Sequence, residues 1–243
     1  MHMALKYGID ISENTLKRVL KRNAVRPNRY RRGSRAPKPL YDYGALLPFE
    51  EGQIDTKYIE DYGALGSMVF RLRKYNLPLY QWTYVDAKSK VRFQAYSHGL
   101  GRGCGTLFLS LVTLWLRSCG IQTALRVQQD GGSEWLQPDQ AECQEMLLLL
   151  REQWHVSVRT IPPGKKWLQG IVERSHRTDD EEFYIQRVFK IKSEEDLLKE
   201  ALNYIYYYDC VREHSSLNDM TPFQHLKGQL PDLDDTMKLV PPI

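Results

Sequence analysis

Three acids stand where an acid needs a physical reason. Asp55 lies in the middle of Gln53-Ile54-Asp55-Thr56-Lys57-Tyr58-Ile59, an alternating stretch that reads as a strand. A carboxylate inside a strand is costly unless a cation or a hydrogen-bonding partner meets it. Asp130 closes a second strand-like stretch, 122–129, and is followed by Gly131-Gly132, small enough to let a ligand approach the backbone. Glu173 opens a helix directly behind Pro162-Pro163-Gly164-Lys165-Lys166-Trp167-Leu168-Gln169-Gly170, a loop bracketed by two glycines. If the two strands are neighbours, Asp55 and Asp130 face one crevice, which the helix bearing Glu173 can close. Three carboxylates gathered in this way repel one another unless divalent cations are present, and an all-oxygen donor set suits Mg²⁺ or Mn²⁺. Two such ions, roughly 3.5–4 Å apart, suit an in-line displacement at phosphorus. A single acid near a strand end is most often a solvated cap, so the signal is the triple.

The surrounding pattern describes what positions these acids. After the first strand, 79–85 and 91–96 read as two more strands joined by the polar turn Asp86-Ala87-Lys88-Ser89-Lys90. Residues 106–117 are apolar nearly all round and predict a buried helix closed by Gly120. Residues 138–154 predict a helix with Pro138 in its first turn, 156–161 a fifth strand, 171 onward a helix and 194–208 another. Three strands joined by short turns, then helix, strand, helix, strand, helix, predict an α/β fold with a mixed sheet and helices on both faces. Asp86 reads as turn chemistry. Asp179-Asp180-Glu181-Glu182 reads as a solvated helix face, and Glu134 as an outer neighbour of Asp130.

Charge is unevenly spread. The net charge of the chain is +4, yet residues 17–38 hold ten Lys or Arg and no acid. Lys17, Lys21, Arg22, Arg29, Arg31, Arg32 and Arg35 belong to this block, with Tyr30 and two prolines interleaved. Such a block suits a phosphate backbone, the plainer alternative being a solvated linker. Ahead of it, Ser12 reads as the N-cap of a short helix with Leu16, Val19 and Leu20 on one side. Tyr7-Gly8-Ile9 resembles the turn of a helix-turn-helix without its front helices, as a truncation or an internal start would leave it. An ordinary capped surface helix is the alternative.

Composition excludes several classes. At 42% hydrophobic and 26% charged residues, the 243-residue chain has the balance of a folded domain. The longest apolar stretch, 107–116, is about half a membrane span, so no membrane partner is expected. Cys104, Cys119, Cys143 and Cys210 form no C-x-x-C pair, which removes a paired-thiol zinc site and points to a reducing, cytoplasmic setting.

Beyond these readings, three blocks resemble the signature of the retroviral-type integrase catalytic core, shared with acidic-triad transposases of bacterial insertion sequences. They are Gln53-Ile54-Asp55-Thr56, Gln129-Asp130-Gly131-Gly132-Ser133-Glu134-Trp135 and Gly170-Ile171-Val172-Glu173-Arg174-Ser175-His176-Arg177-Thr178. The stretch from Tyr206 to Pro222, with Arg212-Glu213-His214-Ser215-Ser216-Leu217-Asn218, is similar to the block that closes the bacterial members. The resemblance implies a ribonuclease-H-like fold with three antiparallel then two parallel strands. It divides the chain into 1–25 (partial helix-turn-helix), 26–47 (basic extended linker), 48–192 (catalytic core) and 193–243 (C-terminal helix, closing block and tail). It also implies metal-dependent cleavage and 3′-hydroxyl strand transfer on double-stranded DNA, by a homo-oligomer in a prokaryotic cytoplasm, associated with the nucleoid when on DNA.

Carried onto this chain, Asp55, Asp130 and Glu173 would bind two Mg²⁺ or Mn²⁺ ions, with no small-molecule cofactor. Arg174, His176 and Arg177 would contact phosphate or support the carboxylates, although a Glu173–Arg177 pair within the helix is the alternative. Lys165, Lys166 and Trp167 would meet the DNA backbone and bases, or Trp167 would anchor the core. Two departures stand out: 42 residues separate Asp130 from Glu173, more than such cores usually place there, and Gly131 replaces the usual Asn. The rival readings are a truncated or inactive DNA-binding regulator and a ribonuclease-H-like nuclease.

Overall fold

A computed structural model describes residues 12–22 and 41–239. The chain divides into two compact units, residues 1–39 and 40–243. Of the first unit, the described part is helix α1, Glu13–Arg22. The Thr15 N–H donates to Ser12 Oγ at 3.1 Å, so Ser12 caps the helix as its residue type suggests. Lys17 and Arg22 are exposed on it. The Tyr7-Gly8-Ile9 turn, the cations Arg29, Arg31, Arg32 and Arg35, and the side chain of Lys21 lie outside the described residues.

Five strands organise the second unit: β1 Glu51–Tyr58, β2 Tyr80–Asp86, β3 Arg92–Ser97, β4 Leu125–Gln129 and β5 Val156–Thr160. Their order in the sheet is β3-β2-β1-β4-β5. The β1–β2 and β2–β3 pairs are antiparallel, and the β1–β4 and β4–β5 pairs are parallel. Between β2 and β3, Asp86 holds the turn. Its carboxylate accepts from Phe49 N–H at 2.9 Å and from the N–H and hydroxyl of Ser89 at 2.6 Å. Gly52 is required where β1 passes Tyr84, because a Cβ there would lie 2.3 Å from the ring.

The segment between β1 and β2 is not the short turn expected. It folds into α2, Tyr62–Leu65, and α3, Val69–Lys74, separated at Gly66 with φ +56°. Helix α4, Arg102–Ser118, starts a turn earlier than the apolar run. It is buried on one face only: Leu107 and Leu114 are exposed, because just one side meets the sheet. Helix α5 is Gln144–Trp154, so Pro138 lies outside it. That residue's carbonyl accepts from the Gln144 side chain at 2.6 Å, while Trp135 sits edge-on to Trp82, 5.1 Å between ring centroids; these contacts hold the preceding stretch as a loop. Helix α6, Gly170–Asp179, runs into a wider helical turn and the short α7, Ile185–Arg187. Helices α8, Glu194–Cys210, and α9, Pro222–Gln229, complete the unit.

Alternation along the strands separates two environments. Ile54, Trp82, Tyr84, Phe93 and Val127 pack with α4 and α5 in one apolar core. Around α3, α7 and α8 a second cluster gathers Ile59, Leu72, Phe183, Val188, Leu197 and Tyr204. Between these, the sheet face under α6 is polar: Gln53, Lys57, Gln81, Thr83, Arg92 and Gln94 are all buried. Among the described residues no helix is long and apolar enough to cross a membrane.

Candidate active site

Helix α6 is keyed to β1 at three places. Gln53 Oε1 accepts from the N–H groups of Ile171 and Val172 at 3.0 and 3.1 Å. Asp55 Oδ2 faces His176 Nδ1 at 3.6 Å. Lys57 Nζ donates to Asp180 Oδ2 at 2.8 Å, just past the helix end. Four strand residues span about 13 Å, and the eight to nine helical residues between the outer contacts span about 13 Å as well. The equal spans let α6 lie along β1 with its residues in step, which puts Glu173 in the first turn, close to the strand bearing Asp55.

Asp55 is three-quarters buried, and its Oδ1 accepts from the Thr56 N–H at 2.9 Å. Burial foremost, then the charge of Asp130, with smaller effects of Glu173 and Glu134, pushes its carboxyl up to about 7; the Thr56 N–H opposes this. The sheet therefore brings Asp55 within electrostatic reach of three further acids. Asp130 follows β4, which lies beside β1, and its Oδ1 accepts from Gly132 N–H at 2.8 Å. Glu134 folds back over Gly132, whose Cβ, if it had one, would lie 2.4 Å from the carboxylate. Glu173 is exposed in the first turn of α6, where the helix field favours an anion.

His176 is buried. Burial, with Lys57 and Arg92 nearby, pushes its imidazole down to about 3, so it is neutral at physiological pH. Its Nε2 is buried without a hydrogen-bond partner, while Nδ1 faces Asp55. Of the two roles open to it, support of a carboxylate fits and a charged phosphate contact does not. Arg174 and Arg177 are exposed, and Glu173 and Arg177 form no ion pair.

The loop ahead of α6 is anchored at its base and open at its tip. Gln53 and Gln128 both donate to the Leu168 carbonyl at 2.7 Å. Lys165, Lys166 and Trp167 are exposed, Trp167 by 64%, which excludes it as a core anchor. Cation and aromatic side chains are thus presented to solvent immediately before the helix of Glu173.

The solvated reading of residues 179–182 holds for Glu181, which is exposed, and fails for the other three acids. Asp179 is fully buried, paired with the equally buried Arg92, and accepts from Gln81 and Gln94 at 2.7 and 2.8 Å. The Arg92 guanidinium lies 3.7 Å from the centre of the Tyr208 ring. Asp180 pairs with Lys57, and Glu182 takes two bonds of 2.8 Å from Arg212. His214 meets Tyr208 edge-on, 4.7 Å between centroids. The closing block therefore grips the far end of α6 and the turn beyond it. Gln53, Lys57 and Asp179 escaped the reading of the sequence; the signal for the first two was polar residues on both sides of Asp55 at a spacing of two.

Among the described residues no three His, Cys, Asp or Glu converge tightly enough to grip a metal ion as they stand. The donor chemistry nevertheless fits a hard divalent cation: the acids in mutual reach supply oxygens only, and the repulsion that weakens Asp55 as an acid is what a cation would relieve.

Residues 155–222 match the family model described as integrase core domain, a stretch that includes Glu173 and the closing block but neither Asp55 nor Asp130. No curated protein matches the chain. It is similar to a chain in the cryoEM structure of the simian T-cell lymphotropic virus intasome in complex with PP2A regulatory subunit B56 gamma. That match has TM-score 0.54 and 15% identity, over 79% of this chain and 59% of the other, so the chain spans under two thirds of that relative's length. It is also similar to the HTLV-2 integrase catalytic core domain in complex with magnesium (trimeric form), with TM-score 0.46 and 15% identity, over 74% and 97%. The fold is ribonuclease-H-like, with helices on both faces of the mixed sheet.

Proposed function

We propose that this chain is a polynucleotidyl transferase of the acidic-triad kind, which cuts and joins DNA strands in the transposition of an insertion sequence. The observation that carries the reading is geometric. Asp55 and Asp130 come from adjacent parallel strands, and the helix of Glu173 is keyed to the strand of Asp55 by Gln53 and Lys57. The match of residues 155–222 to the integrase core domain supports the same reaction class.

In this reading Asp55, Asp130 and Glu173 hold two Mg²⁺ or Mn²⁺ ions. The chemistry such a pair supplies is activation of the attacking oxygen and stabilisation of the leaving oxygen in an in-line displacement at phosphorus. The neutral His176 imidazole orients the Asp55 carboxylate without adding charge. Lys165 and Lys166 bind phosphates and Trp167 stacks on an unpaired base at the DNA end. The cations of residues 17–38 hold the duplex, and a homo-oligomer, cytoplasmic in a prokaryotic cell, pairs two element ends.

The test is strand transfer by the purified chain on labelled duplexes carrying its element's termini, in Mg²⁺, in Mn²⁺ and in EDTA. Joining that needs metal is expected. Binding without joining in either metal would overturn the enzyme reading in favour of a DNA-binding regulator, and cleavage of RNA–DNA hybrids alone would favour a nuclease.

A further inference from the structure

A helix leaves its first N–H groups without partners of its own. In α6 the N-cap residue, Gln169, supplies no side-chain bond to fill that role. The carboxamide of Gln53 does so from the neighbouring strand. Its Oε1 takes both the Ile171 and the Val172 N–H, at 3.0 and 3.1 Å. Its Nε2 donates to the Leu168 carbonyl at 2.7 Å and to the Tyr41 hydroxyl at 3.2 Å. The amide thus uses two lone pairs and two hydrogens, and Gln53 is fully buried. Gln128 bonds the same Leu168 carbonyl at 2.7 Å without touching the α6 amides.

Position makes this cap more than a stabilising contact. Gln53 precedes Asp55 by two residues on the same side of β1. The second N–H that it holds belongs to Val172, next to Glu173. A single rigid amide therefore joins the strand of one acid to the helical turn of another, while Lys57 and Asp180 fix the far end of the helix.

We infer that Gln53 is a positioning residue that sets the spacing of Asp55 and Glu173 by capping α6 from β1. This deepens the proposed function and rests on it in one respect, that these two acids work together. A misplacement of about 1 Å in such a pair lowers turnover about 100-fold.

The experiment compares three variants of the full chain. Gln53→Met nearly preserves side-chain length and removes all four bonds. Gln53→Glu keeps acceptor oxygens at a helix end that favours an anion. Gln128→Met removes a bond to the same carbonyl but leaves the cap. Strand-transfer kcat and KM are measured with amide exchange at Ile171 and Val172. In Gln53→Met, kcat is expected to fall about 100-fold with KM for DNA unchanged, and exchange at both amides to accelerate. Gln53→Glu, which keeps an acceptor for both amides but loses the donor to Leu168, should recover part of the loss, and Gln128→Met should keep near-normal kcat. Wild-type kcat in Gln53→Met, or equal losses in Gln53→Met and Gln128→Met, would overturn the inference. If Gln53→Met fails to fold, Gln53→Glu decides: low kcat with the two amides still protected overturns it, and retained kcat supports it. If the wild-type chain joins no DNA, the proposed function fails by itself. Exchange at the two amides then decides the cap: unchanged rates in Gln53→Met overturn it.

Discussion

Asp179→Asn puts the buried polar centre beneath α6 to a quantitative test. Asp179 and Arg92 both have side chains at 0% exposure. Removing the charge from one side of such a pair costs about 3–5 kcal/mol, because the other charge stays buried without compensation. Asparagine keeps the shape and can keep a bond with Gln81 or Gln94. It cannot neutralise Arg92, whose Nε and one Nη already lack hydrogen-bond partners. What then remains for the guanidinium is the weaker influence of the buried Asp209, the Tyr208 face at 3.7 Å and the Tyr204 face at 5.2 Å. In a unit of about 200 residues, 1 kcal/mol moves the melting temperature by about 2–4 °C. The variant should therefore melt about 6–20 °C below wild type by calorimetry at pH 7. Replacing both partners, Arg92→Met with Asp179→Leu, should restore part of that loss, since an apolar pair of similar volume often matches a buried ion pair while Gln81 and Gln94 lose their acceptor. A shift of less than about 2 °C for Asp179→Asn would mean that the carboxylate is solvated, and would refute the buried network.

Three further predictions rest on separate observations. Gly52→Ala places a Cβ 2.3 Å from the Tyr84 ring, so it should cost about 1–3 kcal/mol in chemical denaturation; wild-type stability would contradict the close approach of β1 to Tyr84. Burial holds the Lys90 ammonium down to about 8 from 10.5, partly offset by Asp86. Its folded value lies below its unfolded one, so the charged form costs stability in full below pH 8, and the cost fades as pH rises from about 8 to 10.5. NMR of ¹³C-methylated lysines should show one resonance titrating near pH 8 that is lost in Lys90→Arg; titration of every lysine near 10.5 would contradict it. DNA affinity should fall steeply with salt through the ten cations of residues 17–38. A salt slope unchanged after their deletion would remove that segment from the DNA-binding account.

How far the chain could be read without its structure depended on the range of the forces involved. Alternation at 53–59 and the polar turn at Asp86 are local, and β1, β2 and the turn appear where these patterns predict them. The order of strands and crossovers left the neighbourhood of Asp55 and Asp130 as a condition, and the parallel pairing of β1 with β4 meets it. Asp179 was illegible because its partner, Arg92, lies 87 positions away, and four consecutive acids read as a solvated face when their partners are unknown. The α2–α3 segment escaped because Gly66 divides the helical period into pieces too short to register. Pro138 favours a helix start by type, yet Trp135 docking on Trp82 and the bond from Gln144 decide that it stays in a loop. Positions three apart on a helix share a face, as Glu173 and His176 do; that His176 turns toward Asp55 rather than toward solvent depends on the match in length between β1 and α6.

The central claim is that Asp55, Asp130 and Glu173 form one working site. The most direct measurement compares wild type with Asp55→Asn, Asp130→Asn and Glu173→Gln, recording strand joining and DNA affinity on the same duplexes. Each substitution is expected to abolish joining while DNA affinity stays close to wild type. Near-normal joining by any one of the three would contradict the claim.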